Sequence, residues 1–311
     1  MDFATLEKLI IDQRKKLIAY KDSQVRPLLQ AYAKLLQQLE QDVGTLFINT
    51  NVQGAWDWET IARTQRMEAL FLQIEKRLQV LATTTEQGLQ TAMSRAITVD
   101  YAFAAYITTR ALNGITLIPP VIPQQAIQEM LNHPWSGDHF SSRIWHNKDL
   151  LKTNLRRELT QSMVLGESVQ QTTRRLRDVL ETDAYKAERL VRSEIIAAGN
   201  RASRAYYERF DAEYSDYDVL GGIKILETLD RKTCAICRSM DGKIIPVSEA
   251  KSIKDIEHPN CRRTLAPVIN GFSQNIPRAA RDENGKYVRT NAKTFKEYAE
   301  EYNIPFDYRV A

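Results

Sequence analysis

The stretches TCAICRSMDG (residues 233–242) and EHPNCRRTLAP (residues 257–267) contain all three cysteines of this 311-residue chain. The cysteines and one histidine form two pairs, each with two residues between its members: Cys234 with Cys237, and His258 with Cys261. Two such pairs are typical of a metal site, because each pair places two sulfur or nitrogen donors on one short turn. The window therefore decides how the C-terminal part of the chain folds.

Four interpretations of these cysteines are possible: a disulfide, a redox pair, a catalytic metal site and a structural metal site. A disulfide would leave one thiol over. A thioredoxin-like redox pair needs its first cysteine at a helix N-terminus in a βαβ unit, whereas the sequence predicts a strand and a turn before Cys234 and hairpin signals after Cys237. Three thiolates and one imidazole fill the tetrahedral shell of zinc and leave no position for a substrate. We therefore predict a structural zinc ion with the ligands Cys234, Cys237, His258 and Cys261.

A catalytic role finds less support. A nuclease of the His-Asn-His kind needs a further catalytic histidine, and the only others, His133, His139 and His146, lie far upstream of the window. The chain has no P-loop, no Gly-x-Ser-x-Gly and no dinucleotide fingerprint. Arg192, Ser193 and Glu194 could form part of a transferase constellation, but a contact between a helix and the protein body is the simpler prediction. We predict no catalytic residue and keep a zinc-containing, DNA-acting enzyme or effector as the alternative.

The rest of the chain has mainly helical patterns. Apolar residues recur at steps of three and four between Thr5 and about Leu112, where Pro27 is the only proline. A second apolar stripe ends before Gly166. After it, Ser168 and Gln171 fit a capping box, which predicts the start of the next helix. Thr182 or Asp183 is predicted to cap a further helix. The residues of the predicted stripes are Leu28, Tyr32, Leu35, Leu39, Val43, Leu70, Ile74, Leu78, Leu81, Leu151, Leu155, Leu159 and Met163.

Short β-structure is predicted only near the cysteines. IKILETL (residues 223–229) is rich in branched residues and predicts a strand, and Asp241–Gly242 favours a tight hairpin turn. The predicted fold class is mainly α, with a small C-terminal α+β zinc-binding module whose short β-hairpin is stapled by the Cys3His site. The predicted boundaries are a helical region at 1–118, a proline-containing linker at 119–140, a domain at 141–270 with the zinc module at 220–270, and a polar tail at 271–311.

The composition of the chain gives little support to nucleic acid or membrane as a partner. The net charge of +4, from 43 basic and 39 acidic side chains, is too small to argue for nucleic-acid binding. The pairs Arg156–Arg157 and Arg174–Arg175 alternate with acidic residues, which favours a solvated helix face. The first residues lack the pattern of a signal peptide, and no apolar run reaches the roughly 20 residues of a membrane span. An odd number of cysteines then predicts a reducing cytoplasm.

Five segments resemble the phage Mu protein F-like head morphogenesis domain of tailed phages. They cover about residues 135 to 270 and are WSGDHFSSRIWHN (135–147), GESVQQTTRRL (166–176), RLVRSEIIAAGNRA (189–202), TLDRKTCAICRSMDGK (228–243) and HPNCRRTLAP (258–267). Ser193 stands where the family usually has threonine, and the segment before His258 lacks the usual prolines. Beside the metal ligands, the matching motifs imply supporting roles for Asp230, Asp241, Gly242, Arg262, Arg192 and Glu194.

The resemblance also implies a function. Members of this family are minor head proteins, so we expect a virion component near the portal vertex that is present in the host cytoplasm during assembly. Its expected partners are the portal protein and a major capsid or scaffolding protein, with phage DNA as a further candidate and no membrane. Some members carry fused toxin or transferase domains. About forty residues follow the window here, so none is expected.

Overall fold

The computed structural model describes residues 3–52, 55–63, 65–111, 121–271, 278–282, 286–292 and 294–301. The described chain is mainly helical, as the patterns predict. Pro119, Pro120 and the Asn284–Gly285 pair lie outside the described residues. The helices are α1 (Phe3–Thr50), α2 (Trp58–Arg63), α3 (Arg66–Ala111), α4 (Gln124–Leu131), α5 (Phe140–Val164), α6 (Val169–Glu213), α7 (Ala235–Met240) and α8 (Phe295–Glu301).

The strands are short and antiparallel. β1 (Asn51–Val52) pairs with β2 (Ala55–Trp56), and β6 (Arg278–Arg281) pairs with β7 (Tyr287–Thr290). Between these lies a three-stranded sheet of β3 (Leu220–Leu226), β4 (Ile244–Ile245) and β5 (Thr264–Ile269), in the order β4-β3-β5. Register places Ile223 opposite both Ile245 and Pro267. The predicted strand is therefore present and pairs with the apolar residues after Gly242, together with a third strand that the sequence patterns did not indicate.

The chain divides into two compact units. Unit 2 contains residues 22–90 and 136–191 and is built from helices. Its predicted apolar stripes are buried, with Leu39, Leu155 and Leu159 fully enclosed and Leu81 half-buried. Ion pairs join its helices at the surface, such as Arg156 with Glu68. Long amphipathic helices that bury one face against each other account for this unit without any further cross-link.

Two predictions for unit 2 have different outcomes. The capping box is present: the Ser168 amide donates to Oε1 of Gln171 at 2.9 Å, and the Gln171 amide donates to Oγ of Ser168 at 3.3 Å. The predicted helix start at Thr182 or Asp183 is wrong, because α6 runs through both residues. Asp183 instead accepts a 2.6 Å hydrogen bond from the hydroxyl of Tyr32. Its carboxylate satisfies a tertiary contact rather than a helix terminus.

Unit 1 contains residues 1–21, 91–135 and 192–311. Its helical part is supplied by α4 and by segments of α1, α3 and α6, and its remainder by the sheet, α7, the β6–β7 hairpin and α8. The segment predicted as a polar tail holds the β6–β7 hairpin and α8, and α8 lies within the weakly amphipathic stretch AKTFKEYAEEY (292–302). Phe295 and Tyr298 of α8 are buried with Leu229 and Ala280 in one apolar cluster.

The sequence-based domain boundaries stay a prediction. Residues 119–140 include helix α4, whose Ile127 and Leu131 are buried, and the two compact units follow a different division of the chain. Among the described residues, no helix has the length and apolar character needed to cross a membrane.

Candidate metal centre

The first cysteine pair lies on the first turn of α7. Cys234 has an extended backbone and is the N-cap of this helix, and its sulfur accepts the backbone N–H of Cys237 at 3.4 Å. Cys234 is half-buried, whereas Cys237 is 2% exposed. A cysteine in the N-cap position directs its sulfur toward the helix axis. The two sulfurs therefore lie on the same side of the turn.

The second pair lies on a β-turn before strand β5. The Cys261 amide donates to the carbonyl of His258 at 3.1 Å, and Asn260 has a φ of +63°. Proline in the second position and asparagine with positive φ in the third position are the signature of a type II turn. Nδ1 of His258 lies 2.8 Å from the carbonyl oxygen of Pro259, so Nδ1–H donates to it. Nε2 consequently carries the free lone pair.

These two turns meet. Nε2 of His258 lies 3.1 Å from Sγ of Cys234 and 3.2 Å from Sγ of Cys237. The Sγ atoms of Cys237 and Cys261 are 3.7 Å apart. Around a tetrahedral zinc ion, sulfurs are about 3.8 Å apart and a sulfur and an imidazole nitrogen about 3.5 Å. Cys234, Cys237 and His258 are thus close enough together to hold a metal ion. Cys261 forms a second close group with Cys237 and Glu227, so Cys237 is common to both groups.

The thiols of Cys237 and Cys261 are unequal. The hydrogen bond between them lowers the pKa of Cys261, with smaller contributions from the backbone groups of Glu257 and Arg263 and from the Arg263 charge. The same hydrogen bond, together with burial, raises the pKa of Cys237. A thiolate is the form that binds metal. The surroundings of Cys261 therefore favour the ligating form even before an ion is bound.

Asp230 and Arg262, both implied as supporting residues, form a forked ion pair beside the centre. The two terminal nitrogens of Arg262 donate to both carboxylate oxygens of Asp230, which also accepts the Lys232 amide at 2.9 Å. Burial alone would raise the pKa of Asp230, but the Arg262 hydrogen bond and charge outweigh it and lower the pKa below its ordinary value. This pair joins the loop before α7 to the residue that follows Cys261.

Asp241 and Gly242 terminate α7. Asp241 accepts the Glu227 amide at 2.8 Å and receives two 2.7 Å hydrogen bonds from Arg278. Gly242 has a φ of +81°, and its amide donates to the carbonyl of Ile225 at 2.9 Å. Because this φ favours glycine, Gly242 lets the chain turn from α7 into β4. The connection between β3 and β4 thus contains a whole helix and is not the tight hairpin that Asp-Gly predicted.

A buried pair that sequence reasoning missed lies behind Cys261. The Arg263 side chain is 0% exposed and donates through Nε to Glu227 at 2.8 Å and through a terminal nitrogen to Glu257 at 2.8 Å. Oε2 of Glu227 lies 4.0 Å from Sγ of Cys261, so Glu227, Cys237 and Cys261 form a second group of close donors. The sequence offered one signal, the doubled arginine after Cys261, but gave no reason to connect it with Glu227.

Helix α6 holds the second turn in place. Ser193 accepts the Asn260 amide at 2.8 Å, and Asn200 donates to the carbonyls of Asp255 at 2.7 Å and Arg263 at 3.2 Å. Glu194, implied as a support, accepts the indole N–H of Trp135 at 2.9 Å and lies on the same helix. Arg192 is half-buried one residue before Ser193. The serine of this segment therefore contacts the metal turn directly, which sequence reasoning did not predict.

The competing chemistries can now be compared with the geometry. The cysteines are free thiols, so no disulfide is formed. Cys234 does begin a helix, contrary to the sequence-based argument against a redox pair, because α7 was not predicted. The sheet beside it is antiparallel and not part of a βαβ unit, and His258 and Cys261 adjoin the pair. These features differ from a thioredoxin-like site.

Comparisons with known proteins agree with the resemblance. Residues 153–266 match the model of the family described as Phage Mu protein F like protein. The NAD(+)–arginine ADP-ribosyltransferase EFV of Enterococcus faecalis (strain ATCC 700802 / V583) is 23% identical over 269 residues, which are 83% of this chain and 53% of that protein. The chain thus spans about half the length of this curated relative. No solved structure matches. Residues 153–266, which include all four candidate metal ligands, are the part of the chain that is similar to the Phage Mu protein F like family.

Proposed function

We propose that this chain is a minor head protein of a tailed phage, which acts in head morphogenesis near the portal and in genome packaging or ejection. The observation that carries the proposal is the family match over residues 153–266. It spans α6, strands β3 and β4, the first residues of β5 and both turns that carry the candidate ligands. The function follows from what similarity to this family implies, and we assign the protein to the virion on the same ground.

In this proposal the metal is zinc and its role is structural. Cys234, Cys237, His258 and Cys261 supply four donors, which fill a tetrahedral shell. When bound, zinc would cross-link the α7 turn to the turn at His258–Cys261. Asp230, Arg262, Asp241 and Arg278 then hold the segments that carry the ligands. An ion that is surrounded by protein donors has no position for a substrate, which supports a non-enzymatic function.

The experiment measures the zinc content of the purified chain and its binding to assembly partners in the same sample. The purified chain should contain about one zinc per molecule and should bind portal protein, major capsid protein or scaffolding protein in a pull-down. His258→Ala should lose the zinc and the binding. His133→Ala removes an exposed histidine of the same unit and should lose neither. Two results would contradict the proposal: a purified chain that binds no zinc, or a His258→Ala variant that binds the assembly partners with the same affinity as wild type.

A second candidate is an enzyme or effector that acts on DNA or transfers a group. The observation in its favour is the similarity to an arginine ADP-ribosyltransferase, to which this chain is 23% identical over 269 residues. Against it, Ser193 and Glu194 are buried and form hydrogen bonds with Asn260 and Trp135, rather than facing a cleft.

The basic helices that would hold DNA in this second candidate are also partly neutralised. Arg156, Arg175 and Arg177 form ion pairs with acidic residues of unit 2. Incubation with NAD+ and an arginine acceptor, and DNA titrations at two salt concentrations, test this candidate. Transfer to the acceptor, or binding with a steep salt dependence, would favour it over the structural function.

A further inference from the structure

Helix α3 buries a carboxylate that the metal centre does not use. Asp100 is 6% exposed. Its side-chain hydrogen bond is a long one, 3.5 Å from Nε2 of Gln13 on α1. Most buried carboxylates have a cation or several short hydrogen bonds, because desolvating an unpaired charge is costly. In this respect Asp100 differs from Asp183 of unit 2, which receives a 2.6 Å bond from Tyr32.

The space around Asp100 is small and polar on one side. A cavity of about 30 Å³ is lined by Gln13 of α1, by Asn200, Ser203 and Tyr207 of α6, and by residues 264–267 of β5. Asp100 and Tyr207 are its titratable groups, and none of its described lining residues is lysine, arginine or histidine. Burial raises the pKa of Tyr207, as does the nearby Asp100 charge, so Tyr207 stays protonated and neutral. The volume accommodates about one water molecule.

The carboxylate also touches the backbone of α6. A Cβ atom added at Gly199 would lie 2.1 Å from Oδ2 of Asp100 and 3.2 Å from its Cγ. Glycine is therefore needed at this position for the carboxylate to fit between α3 and α6. A charge placed here is enclosed by four elements: α1, α3, α6 and β5.

The protonation state of this group decides how well it fits. Burial raises the pKa of Asp100 to about 7, and the Gln13 hydrogen bond offsets only part of the effect. A neutral carboxylic acid can donate one hydrogen bond and accept another, so it can pair with both halves of the Gln13 amide. A carboxylate can only accept. Because it has no charge to desolvate, the neutral form is the more stable one in this enclosed position.

We propose that the protonation state of Asp100 controls how firmly α1 packs against α3 and α6. Protonated Asp100 holds the α1 segment around Gln13 and Leu17 in place, and ionised Asp100 loosens that segment. Because the folded pKa lies above the ordinary value of 3.8, the stabilisation is complete below about pH 4 and is lost as the pH rises through about 7. The segment would open in weakly alkaline solution and close in weakly acidic solution.

Hydrogen exchange of the intact chain tests this contact. Wild type and Asp100→Asn, whose amide cannot ionise, are compared at equal pH, so that the intrinsic exchange rates cancel. We expect similar protection of residues 9–21 at pH 4, and protection at pH 8 that is lower in wild type by about tenfold or more. Asp12→Asn removes an exposed α1 carboxylate, 3.6 Å from Lys15, and should behave as wild type.

A second measurement does not depend on a variant that folds. The carboxyl carbon of Asp100 in wild type should titrate near neutral pH in a 13C NMR experiment. Titration near pH 4, or equal protection of wild type and Asp100→Asn at pH 8, would overturn the proposal. So would restored protection of wild type at pH 8 by potassium but not by tetramethylammonium, because a bound metal cation would then take the place of the proton.

Discussion

Unit 2 and the metal module at residues 220–270 achieve a fixed structure by opposite means. In unit 2, long helices bury continuous stripes such as Leu155 and Leu159, and its charged pairs lie largely at the surface. In the module, the helix has six residues and one strand has two, so no single element there carries a long apolar stripe. Its ion pairs are instead buried, as for Arg263 with Glu227. Short elements need cross-links where long ones need only packing.

The largest expected effect on structure comes from replacing a candidate metal ligand. Cys237→Ser should abolish zinc binding and unfold the module while unit 2 keeps its helices, because zinc contributes about 10–16 kcal/mol in small zinc domains. Zinc analysis, and protease cleavage mapped by mass spectrometry, measure both outcomes. Ser239→Ala changes an exposed residue of the same helix and should leave both unchanged. An intact module in zinc-free Cys237→Ser would mean that packing alone suffices there, as it does in unit 2.

The next effect concerns the buried charges of the module. Arg263→Met leaves the carboxylates of Glu227 and Glu257 without their shared cation and should cost about 3–5 kcal/mol. It should also weaken zinc binding about 10–100-fold, which competition with a chelator measures.

An exposed pair provides the control for Arg263. Arg156→Met breaks a contact whose partners are 51% and 63% exposed, and exposed pairs contribute little. Equal losses of stability in the two variants would remove the distinction between buried and surface charges.

A core substitution in unit 2 should have an effect of comparable or smaller size. Leu159→Ala removes a fully buried side chain and should lower the free energy of unfolding by about 2–5 kcal/mol, as measured by urea titration. Zinc content should not change. Leu150→Ala, at a residue that is 42% exposed, should have little effect. Loss of zinc in Leu159→Ala would show that the metal site depends on the packing of unit 2.

The smallest effect is a response to acid. The lowered pKa of Asp230 means that its pair with Arg262 stabilises the module above the ordinary aspartate pKa of about 4, and that this contribution is lost as the pH falls through the lower folded pKa. Asp230→Asn should therefore reduce stability at pH 7 and flatten its decline below pH 4. Thermal melts at several pH values test this, and an unchanged decline would assign the acid response to other groups.

Local patterns predicted much of the helical fold. The stripes in α1, α3 and α5 have the period of a helix, and the capping box at Ser168 depends only on residues three apart. Helix α7 and strand β5 were missed, because short elements stabilised by tertiary contacts carry little local signal. The helix start predicted at Thr182 or Asp183 was wrong for a related reason. An aspartate that fits an N-cap also fits the hydroxyl of Tyr32, 151 positions away in the chain.

The sequence by itself determined the candidate ligands and the turns that carry them, because the spacing of Cys234, Cys237, His258 and Cys261 and the Pro-Asn pair between the last two act over a few residues. Only the tertiary structure decided what surrounds them. The partnership of Arg263 with Glu227, the contact of Ser193 with the metal turn and the enclosure of Asp100 against Gly199 join residues that are distant in the chain. Burial and charge act on such residues through space, so no pattern along the chain records them.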